Sequence, residues 1–257
     1  MTVLDQQLDQ VRSWSDDDAW RRRLIADAQA IRRFLPARLR PVHGAVVRRA
    51  RLVEAKALIL SGSTARGRRT AISDLDYHLV GPKIKADDLP HELDLHVLSK
   101  DRLEAEILAG DDFVQWSLRF GCVLSDDGTL REALRLIANR RPWPDVERKR
   151  RHAAKSLELA GRVVETGDDD GALVQVRTAL SLTARAFLLS RGTFPMTRAD
   201  LPGQLADAGC LSASAALEAS IEGHPSLDQL AVAVDEGRGL LGQINEPSDR
   251  RRPSIRR

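Results

Sequence analysis

The stretch that most limits what this chain can fold into runs from Leu58 to Val80 and reads LILSGSTARGRRTAISDLDYHLV. Its opening run, Leu58-Ile59-Leu60, is short, apolar and bounded by turn-forming residues, which is the pattern of a buried strand. Gly62-Ser63 breaks the run. A polar stretch with Arg66, Gly67, Arg68 and Arg69 then leads to a second strand-like run, Asp74-Leu75-Asp76-Tyr77-His78-Leu79-Val80. Side chains alternate along a strand, so the pattern predicts Asp74 and Asp76 on one face. Two carboxylates placed together repel each other and call for a cation. Oxygen ligands so spaced suit Mg²⁺, which takes one or two carboxylates and fills its shell with phosphate oxygens. Gly62 lets a phosphate approach the backbone closely. Ser63 brings a hydroxyl and is expected to cap a short helix whose free N–H groups face that phosphate.

GSTARGRRTAISDLD fits the pattern Gly-Ser-x-Ala-Arg-Gly followed by Ser-Asp-x-Asp. In this it resembles the nucleotidyltransferases of the DNA polymerase beta superfamily, in their small bacterial form. The resemblance covers residues 55 to 100. It implies that Gly62, Ser63 and Arg66 hold the nucleotide's phosphates and that Asp74 and Asp76 bind magnesium. It also implies a third carboxylate from a later strand, and Leu93-Asp94-Leu95-His96-Val97-Leu98 supplies Asp94 in an alternating setting. The implied catalytic residues and metal ligands are therefore Asp74, Asp76 and Asp94, with two Mg²⁺ ions as cofactors. The implied reaction moves a nucleoside monophosphate, most often AMP from ATP, to an acceptor hydroxyl with loss of pyrophosphate, and Asp94 stands near the acceptor. His78 and His96 share faces with Asp76 and Asp94 by parity, so each either lines the site or serves the core.

The expected fold class is α+β: a small mixed β-sheet nucleotidyltransferase domain flanked by helices, followed by an α-helical bundle. Ser15-Asp16-Asp17-Asp18 reads as a helix start capped by Ser15. Arg21 to Arg23, Arg32 and Arg33 are expected on the solvated face of that helix. A second helix spans 42–54, and Lys83 to His91 reads as a loop. A third strand spans 93–99, and a short helix follows over 100–109 with Leu103, Ile107 and Leu108 on one face. Another helix opens at Asp111, and Cys122-Val123-Leu124 is a brief last strand. Arg140-Arg141-Pro142-Trp143-Pro144 cannot continue a helix. It divides a catalytic domain over 1–140 from a bundle over 141–245, which is expected to bind the acceptor. Residues 246–257 read as a disordered basic tail. The layout is similar to kanamycin and streptomycin nucleotidyltransferases and to minimal nucleotidyltransferases paired with a helical domain.

Composition narrows the partners. The charges nearly balance, 40 Lys and Arg against 37 Asp and Glu, which argues against a nucleic-acid protein defined by bulk charge. One Tyr and five Phe offer little for base stacking. Cys122 and Cys210 show no metal or redox spacing, the N-terminus lacks a secretory pattern and no apolar run spans a bilayer. A cytoplasmic protein is expected. Glu158 and Glu165 of the bundle read as solvated acids. The acceptor stays open among a small molecule such as an aminoglycoside, a protein hydroxyl and an RNA end. The rival reading is a nucleotidyltransferase-fold binding module, or an antitoxin acting on a protein partner.

Overall fold

The computed structural model describes residues 9–14, 16–69, 73–82 and 93–244. The chain divides into two compact units, Met1–Pro144 and Asp145–Arg257.

In the first unit, helices α1 (Asp17–Phe34) and α2 (Arg40–Leu52) precede strand β1 (Ala57–Leu60). A one-turn helix, α3 (Gly62–Ala65), leads to β2 (Leu75–Val80), and β3 (Leu93–Leu98) follows. Helices α4 (Lys100–Leu108) and α5 (Asp112–Phe120), strand β4 (Cys122–Asp126) and helix α6 (Thr129–Arg140) complete the unit. The strands form one mixed sheet in the order β3-β2-β1-β4. β1 is antiparallel to both its neighbours, whereas β2 and β3 are parallel. A parallel pair needs a crossover in place of a hairpin; residues 83–92 of that connection, including the expected loop, lie outside the described residues.

β1 is apolar on both faces and buried throughout, as befits a central strand covered on both sides. One face sends Ala57, Ile59, Val80 and Leu98 into a core with Leu103, Ile107, Val114 and Leu118 of α4 and α5. The other sends Leu58, Leu60, Tyr77 and Leu79 against Ile31, Leu39, Val46 and Ala50. Leu108 is not part of the apolar face expected of α4: it is 54% exposed.

Two expectations for α1 need correction. Its cap is Asp16, whose carboxylate accepts from the Ala19 N–H at 2.9 Å; Ser15 lies outside the described residues. Arg32 and Arg33 are exposed as expected, but Arg23 is buried. Its Nη2 donates to the carbonyls of Leu118 and Gly121, both at 3.0 Å. These carbonyls close α5, where a helix leaves C=O groups without partners of its own. The Arg23 guanidinium also lies 3.8 Å from the Trp14 ring centroid and pairs with Asp27 at 3.4 Å. Asp27 in turn accepts from the Val123 N–H at 2.8 Å. An arginine is therefore drawn inward to satisfy a helix end and a strand edge together.

The second unit is helical, with α7 (Val146–Glu165), α8 (Asp169–Ser190), α9 (Leu201–Asp207), α10 (Leu211–Glu222) and α11 (Leu227–Gly242). α8 begins before the apolar stripe starts at Ala172, because Asp168 caps it by accepting from Gly171 N–H at 3.0 Å. By length and composition α8 alone among the described helices could cross a membrane. Its Ala172, Val176, Leu180, Ala184 and Phe187 instead form the centre of this unit's core, with Leu157, Leu217 and Leu230. Glu158 and Glu165 are exposed on α7.

Candidate functional site

Strand register creates the site. Across the parallel pair, Asp76 stands opposite Asp94 and His78 opposite His96. Opposed residues of adjacent strands present their side chains on the same face. The two carboxylates therefore lie side by side at one end of the pair, and the two histidines lie two residues further along. Asp74 immediately precedes β2, which begins at Leu75, and its charge still acts on Asp76. The Thr64 hydroxyl donates to the Asp74 carbonyl at 3.4 Å, which ties Asp74 to α3.

Asp76 is the electrostatic centre. Burial, then the charges of Asp94 and Asp74, push its carboxyl up to about 6. Its side chain has no hydrogen bond or ion pair with a described residue. A half-buried carboxylate facing two others, with nothing to neutralise it, is costly when ionised.

The Gly-Ser turn is built directly against this carboxylate. Ser61 N–H donates to the Asp76 carbonyl at 2.7 Å, which holds the end of β1 on β2. Gly62 has φ +67°, and a side chain there would overlap Asp76 Oδ2. Only glycine meets both conditions without strain. The chain then enters α3, where Gly62 and Ser63 open the turn with amides that a helix leaves unpaired. The N-cap position is Ser61, not Ser63. Ser61 Oγ donates to Ser117 Oγ of α5 at 2.9 Å and is thereby withdrawn from capping. The Ser63 hydroxyl is half-buried and bonds no described residue. Arg66 is exposed at the far end of the turn, its guanidinium 5.8 Å from the Phe120 ring centroid.

The histidines form the floor behind the carboxylates. His78 is 3% exposed, and burial together with His96 pulls it down to about 3. Its ring centroid lies 4.5 Å from that of Phe113 and 5.1 Å from that of His96. It is therefore a neutral packing residue at any ordinary pH. His96 Nε2 lies 4.0 Å from Glu106 Oε2. The buried Ser61–Ser117 hydrogen bond and the His78–Phe113 ring contact both reach α5, an element that sequence spacing did not connect with the site. Neither residue type nor period distinguishes Ser117 from an ordinary helix serine.

Among the described residues, no three His, Cys, Asp or Glu side chains form a ready-made metal cage. The donor set is Asp76 and Asp94, with Asp74 near enough to act on Asp76 through its charge. Oxygen-only donors, one of them unneutralised, beside an open backbone turn fit Mg²⁺ completed by phosphate oxygens. They do not fit an all-protein cage.

No protein-family model matches the chain, and no curated protein matches it. Among solved structures it is similar to a nucleotidyltransferase-like protein from Exiguobacterium sibiricum 255-15. The identity is 16%, over 80% of this chain and 73% of that one, with a TM-score of 0.40. A likeness at this level decides nothing about chemistry, which has to be read from the residues.

Proposed function

We propose that the first unit is a magnesium-dependent nucleotidyltransferase. The observation that carries this reading is the junction of Gly62 with Asp76: a bare backbone turn presses on an unneutralised carboxylate that pairs in register with Asp94. A structural acid pair has no need of a glycine at φ +67° against it, whereas a triphosphate and its cation need both an open backbone and the acids.

In this reading Asp76 and Asp94 hold magnesium, with Asp74 adding charge. The bound ion supplies neutralisation of the triphosphate and of the charge that develops at the reacting phosphorus. The turn at Gly62-Ser63 receives phosphate oxygens, for which the Ser63 hydroxyl is an available donor. Asp94 is the more exposed of the strand pair, and in this reading it meets an acceptor hydroxyl and takes its proton. The phosphorus–oxygen bond to pyrophosphate breaks as the acceptor oxygen bonds to the α-phosphorus. ATP is the proposed donor. Catalysis of this kind is positioning and charge neutralisation.

The test is transfer of α-phosphate label from each of the four triphosphates, with magnesium, into a mixed extract of small molecules, protein and RNA. Wild type is expected to label a product, and Asp76→Asn to lose at least about 10²–10³-fold of that rate. Equal labelling by the folded variant would remove Asp76 from the chemistry. Failure of the wild type to bind any triphosphate would favour the partner-binding module instead.

A further inference from the structure

The near-balanced bulk charge conceals a strong local excess. Residues 28–73 hold ten Arg and one Lys but a single acid, Glu54. The remaining residues of the chain therefore carry 29 cations against 36 anions. The structure gathers part of this excess around the turn that joins α1 to α2.

Two concavities flank that turn. The larger, about 600 Å³, has Arg32, Arg40 and His43 around an apolar floor that includes Ile31, Leu35 and Val47. The smaller, about 320 Å³, is lined by Arg33, Arg38 and Arg69 with Phe34, Pro36 and Gly67. Neither lining contains an Asp or Glu. Arg32, Arg33, Arg38 and Arg40 are exposed and pair with no described carboxylate. Arg69 donates to the Ser73 carbonyl, and its Nη1 is buried with no partner among the described residues. Gly67 (φ +67°) lets the Phe34 ring lie against its loop; a Cβ there would stand 2.9 Å from the ring. His43, which lines the larger concavity, has its Nδ1 2.8 Å from the hydroxyl of the buried Tyr77.

We infer that this arginine-rimmed turn binds single-stranded nucleic acid. Guanidinium forks match phosphate geometry. Arginines alone would suit any polyanion. The apolar and aromatic floors between them are what single out an unstacked strand, whose bases need such surfaces while its phosphates need the rim. A duplex offers no free base faces to the concavities. The smaller concavity includes Gly67 and Arg69, on the loop that leaves the Gly62–Ala65 turn. If the proposed transfer holds, a strand end is then the acceptor class; the binding itself does not depend on that reading.

The experiment is fluorescence anisotropy of a labelled twelve-nucleotide single-stranded RNA, without triphosphate or magnesium, over a series of salt concentrations. The comparison ligands are the same sequence as a duplex and vesicles of anionic lipid. Five arginine–phosphate contacts predict a slope of log affinity on log salt of about −3.5. Arg33→Gln/Arg38→Gln is expected to bring the slope to about −2.1, and the matching Lys pair to restore it. Phe34→Ala is expected to weaken the single strand by about tenfold without changing the slope. The inference is overturned by a single-strand slope unmoved by the Gln pair, by tighter binding of the duplex, or by vesicles binding where RNA does not. Because no turnover is read, failure here is distinct from failure of the transfer reading.

Discussion

At the scale of residues, Asp76 is held where its charge is unwelcome, and the pH dependence follows from that. Its folded carboxyl sits at about 6, raised by burial and by Asp94 and Asp74, whereas an unfolded Asp titrates near 3.9. The folded state thus binds the proton more tightly, so Asp76 favours folding below the unfolded value and loses that contribution as pH rises through about 6. Asp76→Asn, which resembles the protonated form, is therefore expected to melt higher than wild type above pH 6, by about 2–4 °C for each 1 kcal/mol. The difference should vanish below pH 4. Thermal melts at pH 4, 5 and 7.5 without magnesium check this, and a variant that melts lower at pH 7.5 would refute it. Gly62→Ala should act the other way, costing about 1–3 kcal/mol of stability and most of the activity, because a Cβ meets Asp76 at a positive φ. Urea titration and the labelling assay read the two effects separately.

At the scale of elements, what was legible from sequence was local. The short apolar β1, the glycine-serine break and the alternation around Asp76 and Asp94 are properties of neighbouring residues, and period and turn chemistry expose them. The pairing of β2 with β3, which brings Asp76 opposite Asp94, joins strands whose order in the sheet no local pattern encodes. The placement of Asp74 just outside β2, and of Ser61 in place of Ser63 at the helix start, turns on one residue of register. Arg23 was illegible for another reason. Its neighbours Arg21 and Arg22 are exposed, as composition suggests, while Arg23 is recruited by carbonyls 95 and 98 residues away. Its removal takes the guanidinium from those carbonyls and the cation from Asp27, which keeps only the Val123 N–H among the described residues. Arg23→Met should cost about 3 kcal/mol, measured by urea unfolding, whereas Arg22→Met should fall within about 0.5 kcal/mol of wild type.

At the scale of the molecule, each unit has its own apolar core, and Pro142-Trp143-Pro144 marks where one ends. A fragment spanning residues 145–257 is expected to fold alone, with a helical spectrum and a cooperative melt; a gradual, non-cooperative melt would show that its core is incomplete. The first unit holds every residue proposed for nucleotide and magnesium. The basic excess also lies within it, and sums over the whole chain cancelled that excess against acids elsewhere. The central claim is that Asp76 and Asp94 form a cation-dependent triphosphate site, and calorimetry of ATP binding tests it without need of an acceptor. Wild type is predicted to bind ATP with magnesium, and to lose at least about tenfold in affinity in chelator, in Asp76→Asn and in Asp94→Asn. Binding of the same strength in chelator, or in the folded Asp76→Asn protein, would contradict the claim.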